Sequence, residues 1–555
     1  MPQSKAQGSK KKGSLGEEST PERFEKELKD LASKARSDTG ARRVLGQLVI
    51  HTKSTILLAL LGIYSNVSQL ALSPVYGSIP STTYHSQALM IGCFIGWAGN
   101  LAFRQLLPIK PAKLLPLIAI YVPTIQFYLF GLSQTLRAQW GPAATEAATL
   151  VPLAIFTASS VADYLEGADF SLLPKFVAEA APGLWSWWML TTVERVSAKH
   201  LALHIGESFA YTRMGLELVL AAAYTVFAPS VYLVLTLPAL IHTAMINTHV
   251  FTPAGTSALN GTMIDNQWML LDRPFWGDWF DFRGENVTEP VYSVFVMLEA
   301  VRLVEREEPL VDSDANALVI GLGIGNLPSA LVAHGIDTTV VEIDPAVYDF
   351  ALQYFQLKEN NPAVIEDAVA YTAQLVEEAE KTYDYIVHDV FTGGAEPVDL
   401  FTLEFFQNLH ALLKPDGVVV INYAGDLVLP TPKIILETIQ TVFPSCRIYR
   451  ENPQDPEIFA KTGSDFTNMV IFCIKTETPL TFREPVEADF LNSRARYAYI
   501  RPQFEVQSQD FIADQSYGLL RRNETSKVMK WHKQSAAGHW TIMRTVLPAS
   551  FWENW

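Results

Sequence analysis

A series of apolar, nearly charge-free runs occupies the first half of this 555-residue chain. A helix needs about 20 such residues to cross a bilayer, and helices satisfy their own backbone hydrogen bonds in lipid. The helices of a large soluble core are the alternative, but they do not give so many charge-poor runs in succession. We therefore predict a transmembrane helical domain of about six spans over residues 45–250. The runs lie at residues 54–74, 85–103, 114–133, 146–161, 215–228 and 231–246.

Basic residues indicate the orientation of this domain, because cytosolic loops are enriched in Lys and Arg. The tail at residues 1–44 is basic and almost free of large apolar residues, which predicts a disordered cytosolic segment. The loop with Arg104 and Lys110 is basic as well. If the Trp-rich segment at residues 174–193 lies on the membrane surface, the catalytic half also faces the cytosol.

The chain is thus predicted to be a multi-pass integral membrane protein that contacts the lipid bilayer. A cytosolic catalytic half also predicts that two N-glycosylation motifs remain unmodified. They are Asn286-Val-Thr288 and Asn523-Glu-Thr525.

Charge and cysteine content exclude several classes of site. The net charge is −16 at pH 7, and Lys and Arg cluster only in the tail, so a nucleic-acid partner is not expected. Cys93, Cys446 and Cys473 are far apart and lie in apolar runs. This spacing predicts buried free thiols rather than a disulfide framework or a zinc site, and we predict no metal site.

After a mixed connecting region at residues 251–314, short apolar strands alternate with helical segments. Such βαβ alternation specifies a doubly wound, mostly parallel sheet that binds its ligand at the carboxyl ends of the strands. We therefore predict an α/β domain of the Rossmann type at residues 315–476. The C-terminal extension, residues 477–555, contains clustered Trp and His residues. It is predicted to be a lid or a docking segment, with His539 as a minor catalytic candidate.

The first predicted site is the glycine motif that follows the first strand of this domain. Gly321, Gly323 and Gly325 allow a tight turn and a close approach of the backbone to a ligand. Glu342 ends the next strand, about 20 residues further on, where a carboxylate can accept both hydroxyls of a ribose. An NAD fingerprint is less favoured, because Asn326 stands where that motif requires a small residue.

Two further carboxylates are predicted at strand ends. Asp367 follows a short strand and is placed to accept from an adenine amino group, to cap the next helix, or both. Asp389 ends the strand that begins at Tyr383. At the carboxyl edge of the sheet it can take a proton from an attacking amine, although it could also only cap the following loop.

These motifs resemble those of the spermidine and spermine synthases, which are aminopropyltransferases on the methyltransferase Rossmann scaffold. The glycine motif, Glu342-Ile343-Asp344 and Asp389 match in order, as does the Leu400-Phe401 pair that follows. The resemblance implies decarboxylated S-adenosylmethionine as donor and Asp389 as the amine-deprotonating base. Both halves of the chain also resemble membrane-bound, spermidine-synthase-like proteins of fungi.

The chain departs from the synthase pattern at the positions that bind the polyamine and the donor amine. Ile324 stands where the family places an aspartate that holds the donor amine, and Thr392 replaces a second aspartate. Of the family's Tyr-His-Glu motif, this chain has only the tyrosine, Tyr292. Tyr292 and Thr392 are the predicted substrate-binding residues. Each lost carboxylate removes a charged hydrogen bond worth about 1.5–3 kcal/mol to a cationic substrate.

We therefore predict group transfer from S-adenosylmethionine or its decarboxylated form to a small, apolar or weakly cationic acceptor. Methyl transfer is favoured over aminopropyl transfer. A nucleoside-binding membrane sensor or transporter, or a binding scaffold without turnover, is the alternative from another class. Ionisable residues buried at mid-span would favour the transporter, but Glu146 and Glu217 are expected near span ends. Oligomer formation is compatible with this sequence.

Overall fold

The structure is a computed structural model that describes most of the chain outside the tail and the connecting region. The described residues are 40–170, 174–204, 208–246, 290, 292–378, 381–390, 396–507, 510–511, 517–546 and 549–553. Residues 1–39 of the predicted disordered tail, most of the predicted connecting region, Asn286 and Thr392 therefore lie outside the described residues. Residues 40–44, the end of the predicted disordered tail, are helical instead.

The apolar runs of the first half form α-helices, as predicted. A helix pairs its own N–H and C=O groups, so an apolar run can be buried without leaving its backbone unsatisfied. The helices are α1 (Gly40–Tyr76), α2 (Ser78–Thr83), α3 (His85–Ala98), α4 (Asn100–Leu106), α5 (Leu115–Gly131), α6 (Ser133–Ala148), α7 (Leu150–Leu165), α8 (Lys175–His204), α9 (Arg213–Phe227) and α10 (Leu237–Ile246).

The number of long helices is smaller than expected. Within the described ranges, Val44–Tyr76 and Ser133–Leu165 are long and apolar enough to cross a membrane. A third candidate arises if Ser78–Ala98, which comprises α2 and α3, forms one broken span with α4, against which it is bent by 65°. We expected about six full-length spans, but most of the helices are too short to cross a membrane alone. Breaks such as the one at Gly99 divide runs that are continuous in the sequence.

The position of Glu146 also differs from the prediction. It was expected near the end of a span. Helices α6 and α7 follow each other with only Thr149 between them and together form the candidate span Ser133–Leu165, and Glu146 lies near the middle of that span with a side chain only 1% exposed. The reason is that the helix begins at Ser133, well before the apolar run used for the prediction. An ionisable side chain is therefore buried at the centre of a long apolar helix.

The Trp-rich segment at residues 174–193 belongs to the 30-residue helix α8, which packs along α1. Trp187 and Trp188 point to the outside of this pair and are exposed. The helix continues to His204, beyond the segment that was expected to lie on the membrane surface. A position in the membrane interface stays a prediction for this helix.

The second half contains an eight-stranded sheet in the order β3-β2-β1-β4-β5-β7-β6-β8. The first five of these strands in the sheet order are parallel, and β7 runs antiparallel to β5 and to β6. This confirms the predicted Rossmann-type architecture. The strands are β1 (Asn316–Ile320), β2 (Asp337–Glu342), β3 (Val364–Ile365), β4 (Tyr383–His388), β5 (Leu413–Asp426), β6 (Ser445–Arg450), β7 (Phe466–Ile474) and β8 (Phe504–Glu505).

Helices cover both faces of the sheet, and each face has its own apolar core. Leu318, Ile421 and Phe405 lie in the core on one face, whereas Val319, Val420 and other strand residues lie in the core on the other. Successive strand residues point to opposite faces, so continuously apolar strands fill both cores. The helices are α11 (Ser293–Leu298), α12 (Asn326–Ala333), α13 (Pro345–Tyr354), α14 (Ala368–Glu378), α15 (Leu403–Leu412), α16 (Pro430–Val442), α17 (Pro456–Thr462) and α18 (Arg494–Tyr499).

The prediction of three free thiols is wrong for two of them, because Cys446 and Cys473 form a disulfide. The two residues lie directly opposite each other on the antiparallel strands β6 and β7. Their sequence separation gives no sign of this pairing, which depends on the register of the two strands. Cys93 is a free cysteine.

The C-terminal extension ends in α19 (Ser526–Met529), α20 (His532–Val546) and α21 (Ala549–Glu553). Helix α20 packs against β5 and β7 on one side and against α2 and α6 on the other. From α20, the indole N–H of Trp540 donates to the carbonyl of Val75 at 2.8 Å. The extension therefore docks the sheet onto the helical half, which fits the docking role predicted from its sequence.

A buried ion pair provides a test of the packing in the second half. Arg496 and Glu299 form two hydrogen bonds of 2.8 Å and are at most 1% exposed, whereas the Arg501–Glu484 pair is more than 60% exposed. Removing one partner of a buried pair costs about 3–5 kcal/mol, because the other charge stays buried. An exposed pair contributes at most about 1 kcal/mol.

We expect Arg496→Ala to lower the thermal unfolding midpoint of the detergent-solubilised full-length chain strongly. The matched control, Arg501→Ala, should leave it nearly unchanged. Equal effects of the two substitutions would contradict the burial of the Arg496 pair.

Candidate active site

The glycine loop follows β1 and leads into α12 at the carboxyl edge of the sheet. Gly321, Gly323 and Gly325 have φ values of 90°, 54° and 83°, which favour glycine. Gly321 is also required sterically, because a Cβ atom there would lie 2.2 Å from the backbone oxygen of Asp389. The loop thus brings backbone N–H groups and the start of a helix to the edge where parallel strands bind ligands.

Glu342 lies beside this loop at the end of β2. Its Oε2 accepts from the N–H of Leu322 at 2.9 Å, and its Oε1 accepts from the N–H of Asp344 at 3.0 Å. Burial raises the pKa of Glu342, while these backbone donors oppose the shift. A carboxylate has about four lone-pair positions, so both oxygens can still accept a ribose hydroxyl.

Asp367 lies after β3, on the same edge. Its Oδ1 accepts from the N–H of Val369 at 3.0 Å, so the carboxylate caps the start of α14. The capping role weighed as an alternative is therefore present, and the contact with an adenine stays a prediction. Ile343, next to Glu342, exposes 70% of its side chain and offers an apolar surface for a flat ring.

Asp389 follows β4 and is joined to the neighbouring strands on both sides. Its N–H donates to the carbonyl of Ile320 at 2.8 Å, and its carboxylate accepts from the Nδ2 of Asn422 at 2.7 Å. Burial raises the pKa of Asp389 to about 6, although the hydrogen bond from Asn422 lowers it. A carboxylate with such a pKa can act as a general base near neutral pH.

A second buried carboxylate, Glu396, was missed by the sequence analysis. Its Oε1 accepts from the hydroxyl of Tyr423 at 2.9 Å, and its Oε2 lies 3.3 Å from the Nε2 of His532 at the start of α20. Burial raises the pKa of Glu396 to about 7 and lowers that of His532. No local pattern marks Glu396, because its partners come from β5 and from the C-terminal extension.

The two predicted substrate-binding residues remain untested. Thr392 lies outside the described residues. Tyr292 precedes α11, and its hydroxyl points to the sulfur of Met543 on α20 at 3.8 Å. Tyr292 therefore contacts the C-terminal extension, and a role in binding the acceptor stays a prediction. His539, the minor candidate, packs against the ring of Phe466 on β7, with ring centroids 5.4 Å apart.

The geometry of this edge fits an S-adenosylmethionine-type cofactor. The three glycines keep side chains out of the loop, and Glu342 retains lone pairs beside it. The loop can accept the cofactor's carboxylate on backbone N–H groups, Glu342 the ribose, and Asp367 or Ile343 the adenine. Asp389 follows the strand next to the loop, on the side of β5, where an acceptor can reach the cofactor.

Comparisons with known proteins agree with this geometry. The spermine/spermidine synthase domain family matches residues 306–451. The chain is 40% identical to the N-terminal histidine N-methyltransferase of Emericella nidulans, over 90% of this chain and 96% of that protein. It is 38% identical to a polyamine aminopropyltransferase of Vibrio vulnificus, but over only 19% of this chain and 36% of that protein.

Two solved structures that resemble this chain each match less than half of it. Human methyltransferase-like protein 13 in complex with SAH is 23% identical, with a TM-score of 0.29, and the match covers 39% of this chain and 95% of that one. A probable spermidine synthase of Corynebacterium glutamicum is 21% identical, with a TM-score of 0.31, over 40% of this chain and 77% of that one.

The similarity to the Emericella nidulans enzyme includes the helical half, whereas the similarity to the aminopropyltransferase is confined to a short part of the chain. The sequence-based preference for methyl transfer from S-adenosylmethionine is thereby confirmed. The chain is an S-adenosylmethionine-dependent transferase with a spermidine-synthase-like domain, and it belongs to the family of the N-terminal histidine N-methyltransferase.

Proposed function

We propose that this protein methylates a nitrogen of an N-terminal histidine in a peptide or protein. The 40% identity to the Emericella nidulans enzyme over most of both chains supports this acceptor. The observation at the site that carries the proposal is a pair of buried carboxylates with raised pKa values, Asp389 and Glu396. An N-terminal histidine has two nitrogen groups, the α-amine and the imidazole. One of them can contact Asp389 and the other Glu396.

Asp389 serves the nitrogen that reacts. When bound, S-adenosylmethionine supplies a methyl group on a positively charged sulfur that leaves as a neutral thioether. The acceptor nitrogen forms the new bond with its lone pair, and the product must then lose one proton. Asp389 takes that proton, and Asn422 holds the carboxylate in place through its amide N–H. Positioning of the nitrogen next to the cofactor supplies the remainder of the rate enhancement.

Glu396 serves the second nitrogen group. The hydroxyl of Tyr423 fixes one carboxylate oxygen, and His532 lies beside the other. Asn422 and Tyr423 are consecutive on β5, so their side chains point to opposite faces of the sheet, and each holds one of the two carboxylates from its own face. A charged hydrogen bond from an ammonium or imidazolium group to Glu396 is worth about 1.5–3 kcal/mol. This arrangement favours the weakly cationic acceptor predicted from the sequence.

Aminopropyl transfer in polyamine biosynthesis is the alternative, and Ile324 argues against it. The decarboxylated donor carries a free ammonium that needs an anionic partner, whereas intact S-adenosylmethionine brings a carboxylate that backbone N–H groups can accept. The side chain at this position of the loop is apolar and buried. The donor subsite therefore favours the intact cofactor.

Two observations disagree about the side of the membrane on which the sheet lies. The basic tail favours the cytosol for the N-terminus, but the Cys446–Cys473 disulfide favours an oxidising compartment for the sheet. Because translation begins at Met, a histidine becomes N-terminal only after cleavage of a precursor, as happens when a secretory signal is removed. We infer that the catalytic half shares an oxidising compartment with such cleaved chains, which replaces the cytosolic placement expected from the sequence.

The first test concerns the base. Asp389→Asn should reduce transfer to a His-terminated peptide about 10²–10⁴-fold, as measured by mass spectrometry, while calorimetry still detects binding of S-adenosylmethionine. Asp399→Asn, which changes an exposed aspartate near the same loop, is the matched control and should keep full activity. Full activity of Asp389→Asn would exclude Asp389 as the base.

The pH dependence of the reaction gives a second check on the same residue. The base must be ionised, so kcat/KM should fall as the pH drops below the Asp389 pKa of about 6. Asn422→Ala removes a hydrogen bond that favours the ionised form, and it should move this fall to higher pH. A profile that Asn422→Ala leaves unmoved would contradict the proposed pairing.

The donor preference can be measured directly. Calorimetry on the full-length chain should show that intact S-adenosylmethionine binds at least as tightly as the decarboxylated form. Ile324→Asp should shift the preference toward the decarboxylated donor by about 1–3 kcal/mol, and Ile324→Asn, which adds no charge, should not. A wild-type preference of about tenfold for the decarboxylated donor would favour aminopropyl transfer instead.

The compartment can be tested on the chain made in a fungal host. Asn523 is exposed in an Asn-X-Thr motif, so a glycan should be present and should be lost in Asn523→Gln. In the denatured chain, Cys446 and Cys473 should react with maleimide only after reduction. An unmodified Asn523 together with freely reactive Cys446 and Cys473 would restore the cytosolic placement.

A further inference from the structure

The interior of the helical half contains a hydrogen-bonded chain of ionisable side chains. His85 on α3 contacts the carboxylate of Glu146 on α6 through Nδ1 and lies 2.7 Å from the hydroxyl of Ser65 on α1 through Nε2. That hydroxyl donates to Glu194 on α8 at 2.5 Å. Ser65, His85 and Glu146 are at most 1% exposed. Four helices therefore meet at one buried chain of proton donors and acceptors.

The hydrogen bonds of this chain allow two arrangements of its protons. Ser65 has one hydroxyl proton, and when Glu194 receives it, the Nε2 of His85 must donate to Ser65. The Nδ1 of His85 must donate to Glu146, because an ionised carboxylate only accepts. If Glu146 takes the Nδ1 proton, the imidazole is neutral and only the bond between His85 and Glu146 reverses; if Glu194 takes the proton of Ser65, the bonds from Glu194 through Ser65 to Nε2 reverse instead. A proton can therefore pass between Glu194 and Glu146 without a change of fold.

A second set of buried polar groups continues from Glu146. Tyr64 on α1 lies within electrostatic reach of both Glu146 and Glu217. Tyr64 faces Thr149 and Glu217 faces Gln126, but within the described residues neither pair reaches the geometry of a full hydrogen bond, and the amide of Gln126 has no other partner there. All four side chains are at most 2% exposed. Leaving such groups unpaired costs about 1–3 kcal/mol each, so they are suited to hold water.

The charges around this chain are mixed rather than uniformly acidic. Arg213 lies next to Glu217 on α9, and His85 lies next to Glu146. Polar side chains that only join helices to one another are expected to have all their donors and acceptors hydrogen-bonded. Glu217 and Tyr64 do not meet this expectation. Ionisable residues buried inside apolar helices usually mark a pathway for protons or ions.

We propose that the helical half conducts protons along the chain Glu194, Ser65, His85, Glu146, Tyr64 and Glu217. This function is separate from methyl transfer and uses none of the residues placed in the active site. The steps from Glu194 to Glu146 move one proton along existing hydrogen bonds, and the steps from Glu146 through Tyr64 to Glu217 require bridging waters; no other bond forms or breaks. Glu194 is partly exposed and provides the entry on α8, and Glu146 lies near the middle of Ser133–Leu165.

Proton conduction can be measured on the purified full-length chain in liposomes that enclose a pH-sensitive dye. With the membrane potential clamped by potassium and valinomycin, wild-type vesicles should dissipate a pH gradient about tenfold faster than empty ones. His85→Asn and Glu146→Gln should return the rate to that of empty vesicles. Glu166→Gln, at an exposed position, and His204→Asn, at a partly exposed one, are the matched controls and should conduct like the wild type.

Ser65→Ala distinguishes a relay from a structural contact, because it removes one hydroxyl from a buried position with little change in volume. It should block conduction while methyl transfer and S-adenosylmethionine binding, measured on the same preparation, stay at wild-type levels. Wild-type vesicles that are no faster than empty ones, or a Ser65→Ala or Glu146→Gln variant that conducts like the wild type, would overturn the proposal. Either result leaves the test of methyl transfer unaffected.

Discussion

The active-site edge depends on the contact between Gly321 and the backbone of Asp389. Strands β1 and β4 are parallel neighbours, with Ile320 opposite His388, so both end at the same level of the sheet. The missing Cβ of Gly321 lets the carbonyl of Asp389 occupy space that any other residue would fill. Because of this approach, the glycine loop and Asp389 share one edge. Any side chain at this position would push the two loops apart and separate the glycine loop from Asp389.

The helix α20 connects this edge to the rest of the protein. At its start His532 lies beside Glu396, and near its end Trp540 and Arg544 donate to the carbonyl of Val75 at the end of α1. Terminal carbonyls of a helix lack partners within the helix, so these side chains satisfy a group that would otherwise be unpaired. One helix therefore contacts the buried Glu396 at the edge of the sheet and fastens the helical half to that edge.

The helical half is polar where a simple anchor would be apolar. Burying the carboxylate of Glu146 costs free energy that an apolar side chain would not, and His85 offsets this cost only in part. Glu217 and Gln126 add further buried polar atoms that make no full hydrogen bond within the described residues. Helices that served only to carry the sheet would need none of these groups. The apolar runs that suggested spans thus surround an ionisable interior.

The sequence alone determined the strand and helix alternation, the glycine loop, and the placement of Glu342 and Asp389 at strand ends. These features follow from local periodicity and from the rule that parallel strands bind ligands at their carboxyl ends. The roles predicted for Tyr292 and Thr392 stay predictions. The tertiary structure decided the Cys446–Cys473 bond, the Glu396–Tyr423–His532 group, the burial of Glu146 and the number of long helices. Each of these joins residues far apart in the chain, or depends on where a helix bends, and strand register and helix packing fix both only once the whole chain has folded.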